Sequence, residues 1–257
     1  MRSSTLRGVL VFGVLWILAQ GMAHALTCAE SSPEARCIDK RVGFGAYGVG
    51  QEQGTNYGGY IAGDIGLWQQ RFIARLATRF GVSGFAGDSA HGSVGMLAFA
   101  QPSIGLNLAS AHAPITLELI APLESMQVGD LITTLFSLGV GASTHIRLGE
   151  ILALESSMQY SYVAAGLHSV RKASLGDFGG SHQGFDQVAD RAYKNFAHTS
   201  FSGAHRWQAS LGIYMHTRVE YFARAICVVY ALEEAQIAGR YQNPSSLFVA
   251  LEMGVGF

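Results

Sequence analysis

From residue 247 to residue 257, every second side chain is apolar: Leu247, Val249, Leu251, Met253, Val255 and Phe257. Between them stand Phe248, Ala250, Glu252, Gly254 and Gly256. An extended strand puts alternate residues on opposite faces, so this segment has one apolar face and one face of mostly small or polar residues. The same period recurs upstream. Leu138, Val140, Ala142, Thr144, Ile146 and Leu148 alternate with Gly139, Gly141, Ser143, His145 and Arg147. After Gly149-Glu150 it resumes as Leu152, Leu154, Ser156, Met158, Tyr160 and Tyr162, which makes a hairpin with the preceding run. Phe72 to Val82 and Trp207 to Met215 repeat the pattern. A helical face would recur near every 3.6 residues, so most of this chain is expected to be all-β.

Two architectures use such strands. A soluble β-sandwich buries one face and wets the other, and its wet face is rich in Lys and Glu. Here the second face is mostly Gly, Ser and isolated charges. Charged residues are 14% of the chain against 49% apolar, with 32 glycines and a mean hydropathy of +0.24, so there is too little charge to coat a sandwich. After residue 25 no stretch holds 18 consecutive apolar residues, which sets aside membrane helices. Aromatics sit near strand ends on the apolar face: Phe72 and Phe80, Tyr160 and Tyr162, Trp207 and Phe257. The expected architecture is an antiparallel transmembrane β-barrel, apolar outside and polar within.

Residues 1–25 read as a secretory signal peptide. Arg2 and Arg7 form the basic start, Val9 to Ala19 the apolar run, and Ala23-His24-Ala25 the cleavage site. Without it, 15 basic face 18 acidic side chains, and only Lys40, Lys172 and Lys194 remain as lysines. That leaves no basic stripe for nucleic acid. Residues 26–40 read as a periplasmic N-terminal segment in which Cys28 and Cys37 form a disulfide, favoured by an oxidising compartment. Cys227 lies in an apolar run and reads as a small buried or lipid-facing residue.

The last eleven residues resemble the C-terminal signal strand of Gram-negative outer-membrane β-barrels, with Val249, Leu251, Met253, Val255 and Phe257 as the alternating apolar set. The resemblance implies a cell outer-membrane location, contact with outer-membrane lipids and lipopolysaccharide, and recognition of the terminal aromatic by the barrel-assembly machinery. Outer-membrane barrels alternate short periplasmic turns with longer extracellular loops. Applied to residues 41–257, that rule fits ten strands, with eight or twelve as alternatives. They fall near 41–50, 57–68, 72–83, 92–109, 115–121, 133–147, 151–163, 203–216, 218–231 and 245–257. Segments 122–132 and 164–202 are then extracellular loops. The spacing of Phe185, Val188, Ala189, Ala192, Tyr193 and Phe196 predicts a short helix in the second. Pro102 predicts a bulge or break in its strand.

The inward faces carry Arg75, Arg79, Arg147 and Arg224 with Asp64, Glu118, Glu155, Glu220 and Glu252, and His145 and His216 beside them. In a barrel only slightly wider than the eight-stranded kind, such charges are expected to pair and plug the bore. The protein is therefore expected to serve a structural, adhesive or surface-display role. A narrow channel or binder for a small solute or lipophilic molecule is the alternative, and a lipid hydrolase ranks third. For the third, His198-Thr199-Ser200 resembles the His-x-Ser base and nucleophile of outer-membrane lipid A deacylases. Phe201 follows where those motifs continue with Asn, and His91-Gly92-Ser93 repeats the spacing elsewhere. No zinc spacing occurs. Glu124, Asp130, Asp177 and Asp186 read as solvated loop carboxylates whose spacing matches no calcium loop. No cofactor is expected.

Overall fold

A computed structural model describes residues 36–51, 54–69, 71–86, 94–108, 115–128, 131–171, 196–217, 219–233, 235–237, 240–242 and 244–257. The alternating runs form β1 (Arg36–Gln51), β2 (Gly54–Gln69), β3 (Phe72–Ala86) and β4 (Val94–Asn107). They continue as β5 (Ile115–Ile120), β6 (Leu123–Val128), β7 (Leu131–Arg147) and β8 (Leu152–Arg171). The remainder are β9 (Phe196–Phe201), β10 (Ala204–His216), β11 (Glu220–Ala231), β12 (Ala235–Ile237), β13 (Arg240–Gln242) and β14 (Ser246–Gly256). Apart from the small β12–β13 hairpin, all pair antiparallel in one sheet of twelve strands.

That sheet closes on itself. β5 and β6 are two pieces of one wall strand, both lying between β4 and β7. β9 and β10 both pair with β8 and form another. Ten wall strands result, and β14 against β1 makes the closing seam. At its end, Lys40 and Phe257 exchange both backbone hydrogen bonds, N to O at 3.1 and 2.8 Å. Closure leaves no wall strand without a ladder partner, which is what a barrel must achieve in lipid.

The alternation predicted from sequence is present strand by strand. Phe72, Phe80, Leu138, Val140, Trp207, Leu211, Val249 and Leu251 all face outward and are exposed. The residues between them face the lumen. Eight residues of strand at ~3.3 Å each, tilted ~40°, rise ~20 Å, close to the ~25 Å apolar band of membrane barrels. β8, with 20 residues, runs well past that band.

Several boundaries differ from expectation. β1 starts at Arg36, so the last residues of the expected N-terminal segment belong to the wall, and Cys37 sits in register with Trp68. Its expected partner, Cys28, lies outside the described residues, as does the signal peptide. The segment 122–132 is not a long loop. Strand continues to Val128, leaving two residues before β7, with Val128 opposite Leu131. The break expected at Pro102 falls across from it, at Ala121-Pro122. β4 itself is continuous, and Pro102 stays in register with Leu76 of β3. The Pro102 carbonyl accepts from Ala121 N at 3.0 Å. A strand residue's N and O point the same way, so the donor that Pro102 lacks falls on the interrupted partner, where no ladder bond is lost.

The expected loop 164–202 narrows to 172–195, because β8 and β9 extend into it. Phe196 is the first residue of β9 rather than the end of a helix. The other residues of the expected helix lie outside the described residues. A register shift opposite Phe136/Ser137 skips Ala164 and turns the upper part of β8, so His168 faces inward. Gly203, at φ +92°, makes the bend between β9 and β10 that a residue with a Cβ would resist.

Candidate functional site

The lumen has two layers. In the half nearer the short turns, ionised side chains from seven wall strands converge. Arg41 of β1 meets three carboxylates: Asp39 at 3.3 Å, Glu155 at 3.3 Å and Glu220 at 2.9 Å. Its guanidinium also lies over the Tyr214 ring, 4.7 Å from the centroid. Arg75 pairs with Glu118 at 2.9 Å and covers Trp68. Deeper in, Glu252 is fully buried and accepts from Arg79 Nε at 2.9 Å, from the Tyr60 hydroxyl at 3.1 Å and from Arg224. Arg224 also holds Asp64 at 2.8 Å. Near the mouth, His145 lies 3.8 Å from Glu155 and His216 3.2 Å from Glu220, with the two rings 5.6 Å apart. Burying a charge in the bore is tolerable only with such partners, since an unpaired one carries its whole desolvation cost.

Every residue of the expected lumen set with a described side chain therefore faces inward. Arg147 occupies an inward position of β7 opposite Ala153, and its side chain is not among those described. Arg41 and Asp39 join the network although the sequence reading left them out.

The half nearer the long loops is mostly apolar, with buried polar contacts between Asn56 and Ser83 and between Thr133 and His168 at its edge. Tyr47, Val49, Leu97, Met126, Val128, Leu135, Val163, Ile226, Val228, Tyr230, Leu232 and Phe248 form one buried cluster inside the barrel. Tyr47 stacks on Phe248 with centroids 5.5 Å apart. The run Ile226-Cys227-Val228-Val229-Tyr230 carries the sequence signal for this layer. It is apolar on both faces, as a strand with lipid on one side and a dry core on the other must be. One ion pair penetrates the layer. Arg206 of β10 grips Glu124 of β6 through three hydrogen bonds of 2.8 to 3.1 Å, and both are buried. Glu124 is thus a buried lumen residue, not the solvated loop carboxylate its sequence position suggested. It moved inside because strand continues to Val128. Asp130, Asp177 and Asp186 lie outside the described residues.

Below the apolar layer, the ionised network encloses a polar cavity of about 90 Å³. Its lining includes Gln101, Gln159, Ser157 and Ser210 as well as the charged groups. No group of three or more His, Cys, Asp or Glu side chains among the described residues is arranged to hold a metal ion.

The His-x-Ser stretch does not lie in the lumen network. His198 Nδ1 lies 2.8 Å from the hydroxyl of Ser169, its cross-strand neighbour on β8, while Ser200 is exposed and stands opposite Leu167. His91 and Ser93 lie outside the described residues. Of the C-terminal set, Val249, Leu251 and Met253 are exposed on the outer face, Val255 shares that face, and Phe257 closes the seam with Lys40. Cys227 is exposed and outward, the lipid-facing alternative of its sequence reading.

The chain matches no protein-family model and no curated protein. Its fold is similar to that of the outer-membrane protease OmpT from Escherichia coli, with a TM-score of 0.53 at 9% identity over 89% of this chain and 98% of that one. It also resembles Neisserial surface protein A, at a TM-score of 0.41 and 12% identity, over 87% of this chain and 98% of that one. A third likeness is to the translocator domain of the autotransporter NalP from Neisseria meningitidis, at 0.43 and 13%, over 99% and 96%. The likeness is one of fold: a closed, antiparallel outer-membrane-type β-barrel.

Proposed function

We propose that this chain is an integral outer-membrane protein whose closed barrel serves a structural, adhesive or surface-display role. The observation that carries the reading is the filling of the lumen. Among the described residues, a charge-paired layer and an apolar layer succeed one another along the bore, and the polar cavity within the charge-paired layer holds about 90 Å³. A barrel so filled is a rigid support for what joins its strands rather than a conduit. The outer face supports the location, because its exposed Leu, Ile, Val and Phe side chains would be a severe aggregation hazard in water and are solvated by lipid. The partners of that face are outer-membrane lipids and lipopolysaccharide, with the barrel-assembly machinery acting during insertion.

By the rule that long loops lie outside, the ends bearing 87–93, 172–195 and 232–245 face the exterior. The likeness to a protease at 9% identity concerns the backbone path, so no peptide-bond chemistry is assigned from it. The test is an epitope inserted within 172–195 of the full chain. It should be stained on intact cells, and the protein should fractionate with the outer membrane and migrate faster unheated than boiled. Recovery in the soluble periplasmic fraction, or an epitope reached only after permeabilisation, would contradict the reading.

A further inference from the structure

We infer that the outer wall carries a specific site for a phosphorylated acyl lipid, its chains laid in an apolar groove and its headgroup against Tyr160, His205 and Trp207. This deepens the outer-membrane reading and rests on it, because such a ligand reaches the wall only from a bilayer.

The groove comes from the sheet itself. It has a volume of about 1370 Å³ and is lined mostly by outward, apolar side chains. Cross-strand partners carry it in one row from Ile38 of β1 through Ala74, Leu119 and Tyr160 to Trp207 of β10. A row at right angles to tilted strands climbs the wall. Ile38 lies at the short-turn end, beyond the closure between Lys40 and Phe257. Tyr160 stands eight residues along β8 from Leu152, ~20 Å higher at ~3.3 Å per residue and ~40° of tilt, near the outer border of the apolar band.

Two small residues keep the floor low. Ala74 lies between Leu67 and Ile104, and Ala142 between Leu117 and Met158. A chain lying over them is flanked on both sides, so it makes more van der Waals contacts than on a convex wall. The volume exceeds the ~300–1,000 Å³ of sites for drug-sized ligands, which suits more than one acyl chain. A second copy related by a twofold axis would set the hollow against itself and leave it unfilled.

The upper end of the row is polar. Tyr160 stacks on His205 and Trp207 tilts against both, with ring centroids 5.6 to 5.9 Å apart. The Tyr160 hydroxyl lies 2.9 Å from His205 Nδ1. Whichever of the two donates, one N–H or O–H of the pair is left over, and Trp207 adds its indole N–H. The outward neighbours Leu138, Met158 and Val229 are apolar, so no carboxylate competes for these donors. The rings already cover one another's faces, which leaves a cation no gap between them to enter. Ring edges and donors remain, and these suit the several acceptor oxygens of a phosphate.

The experiment uses the protein folded in non-ionic detergent and titrated with three lipids that carry the same brominated acyl chains. They are a phosphatidic acid, a diacylglycerol and a diacyl trimethylammonium lipid. Bromine quenches nearby tryptophan, and Trp207 lines the groove. Phosphatidic acid should quench saturably, raise the unfolding temperature and bind more tightly than the other two. His205→Phe keeps the ring stack and removes the ring nitrogens. It should weaken phosphatidic acid about fivefold, the equivalent of one hydrogen bond, and leave diacylglycerol unchanged. Ala142→Phe fills the floor from the lipid side and should weaken both lipids about tenfold. Ala74→Phe carries the same test should that variant not fold. Quenching that never saturates, equal affinity for the three lipids, tighter binding of the cationic one, or unchanged affinities in the variants would overturn the site. A dimer whose groove is closed to all three would overturn it in favour of a second copy. The unheated fast-migrating band reports the folded barrel in every sample, so the site can fail while the outer-membrane reading stands.

Discussion

The buried pair of Arg206 and Glu124 offers a quantitative check on the lumen. Glu124→Leu leaves a guanidinium that is fully buried in a mostly apolar layer, with only the neutral Gln208 Oε1, at 2.6 Å, and the Tyr230 hydroxyl as acceptors. Arg206→Met leaves a carboxylate stripped of all three of its hydrogen bonds from Arg206. Each single change should destabilise by ~3–5 kcal/mol, because the surviving charge keeps its desolvation cost and loses its compensation. The double variant, Glu124→Leu with Arg206→Met, removes both charges and leaves groups that suit the surrounding Leu97, Met126 and Phe248. It should return close to the parent stability, so that the cycle shows a coupling of several kcal/mol. Urea unfolding in detergent micelles, followed by tryptophan fluorescence and by the unheated gel band, gives the numbers. For a slope of ~2 kcal/mol per molar urea, each single change moves the midpoint down by about 2 M. Additive losses in the double variant, or single losses below ~1 kcal/mol, would show that the two side chains do not share a dry layer.

Two further outcomes follow from which way side chains face. Leu211 is 54% exposed on the outer face, so Leu211→Arg should cost ~2–4 kcal/mol near the midplane and sharply lower the yield of the unheated fast-migrating band. Ser157→Arg, whose side chain enters the polar cavity, should be the milder of the two by the same gel assay. At the seam, a Cβ on Gly45 would lie 2.4 Å from Tyr60 Cζ. Gly45→Ala should therefore displace the ring that bonds Glu252 and lower the urea midpoint by the ~1–3 kcal/mol typical of overpacking, whereas Gly50→Ala, whose Cβ would meet nothing closer than 3.9 Å, should not.

The wall of this barrel was legible in the sequence because a period of two needs no tertiary information. Phe72 to Val82 and Leu247 to Phe257 name their outer faces residue by residue. What the sequence could not show was which charges meet. Arg79 and Glu252 are 173 positions apart and touch only because the strands tilt and stagger on closure, a property of the whole sheet. Asp39 and Arg41 were missed because the alternation before residue 42 is short. Arg206 was missed because it precedes the apolar run beginning at Trp207. Glu124 was placed in a loop because the rule of alternating short turns and long loops made 122–132 an extracellular segment. In the structure, Pro122 occupies a break between two collinear strands, and a second proline, Pro102, stands across from it. The apolar layer was half visible. Phe248 and Val228 break the small-or-polar rule of the inner face, and a dry plug is the physical reason.

Conductance tests the central claim, a lumen sealed by two successive layers, most directly. The protein, inserted singly into a planar lipid bilayer under an applied voltage in concentrated potassium chloride, should give no steady open-channel current. Glu124→Leu with Arg206→Met should be as silent, since it keeps the apolar layer. Large, stable, long-lived current steps from the unmodified protein would contradict the account and make the barrel a solute channel.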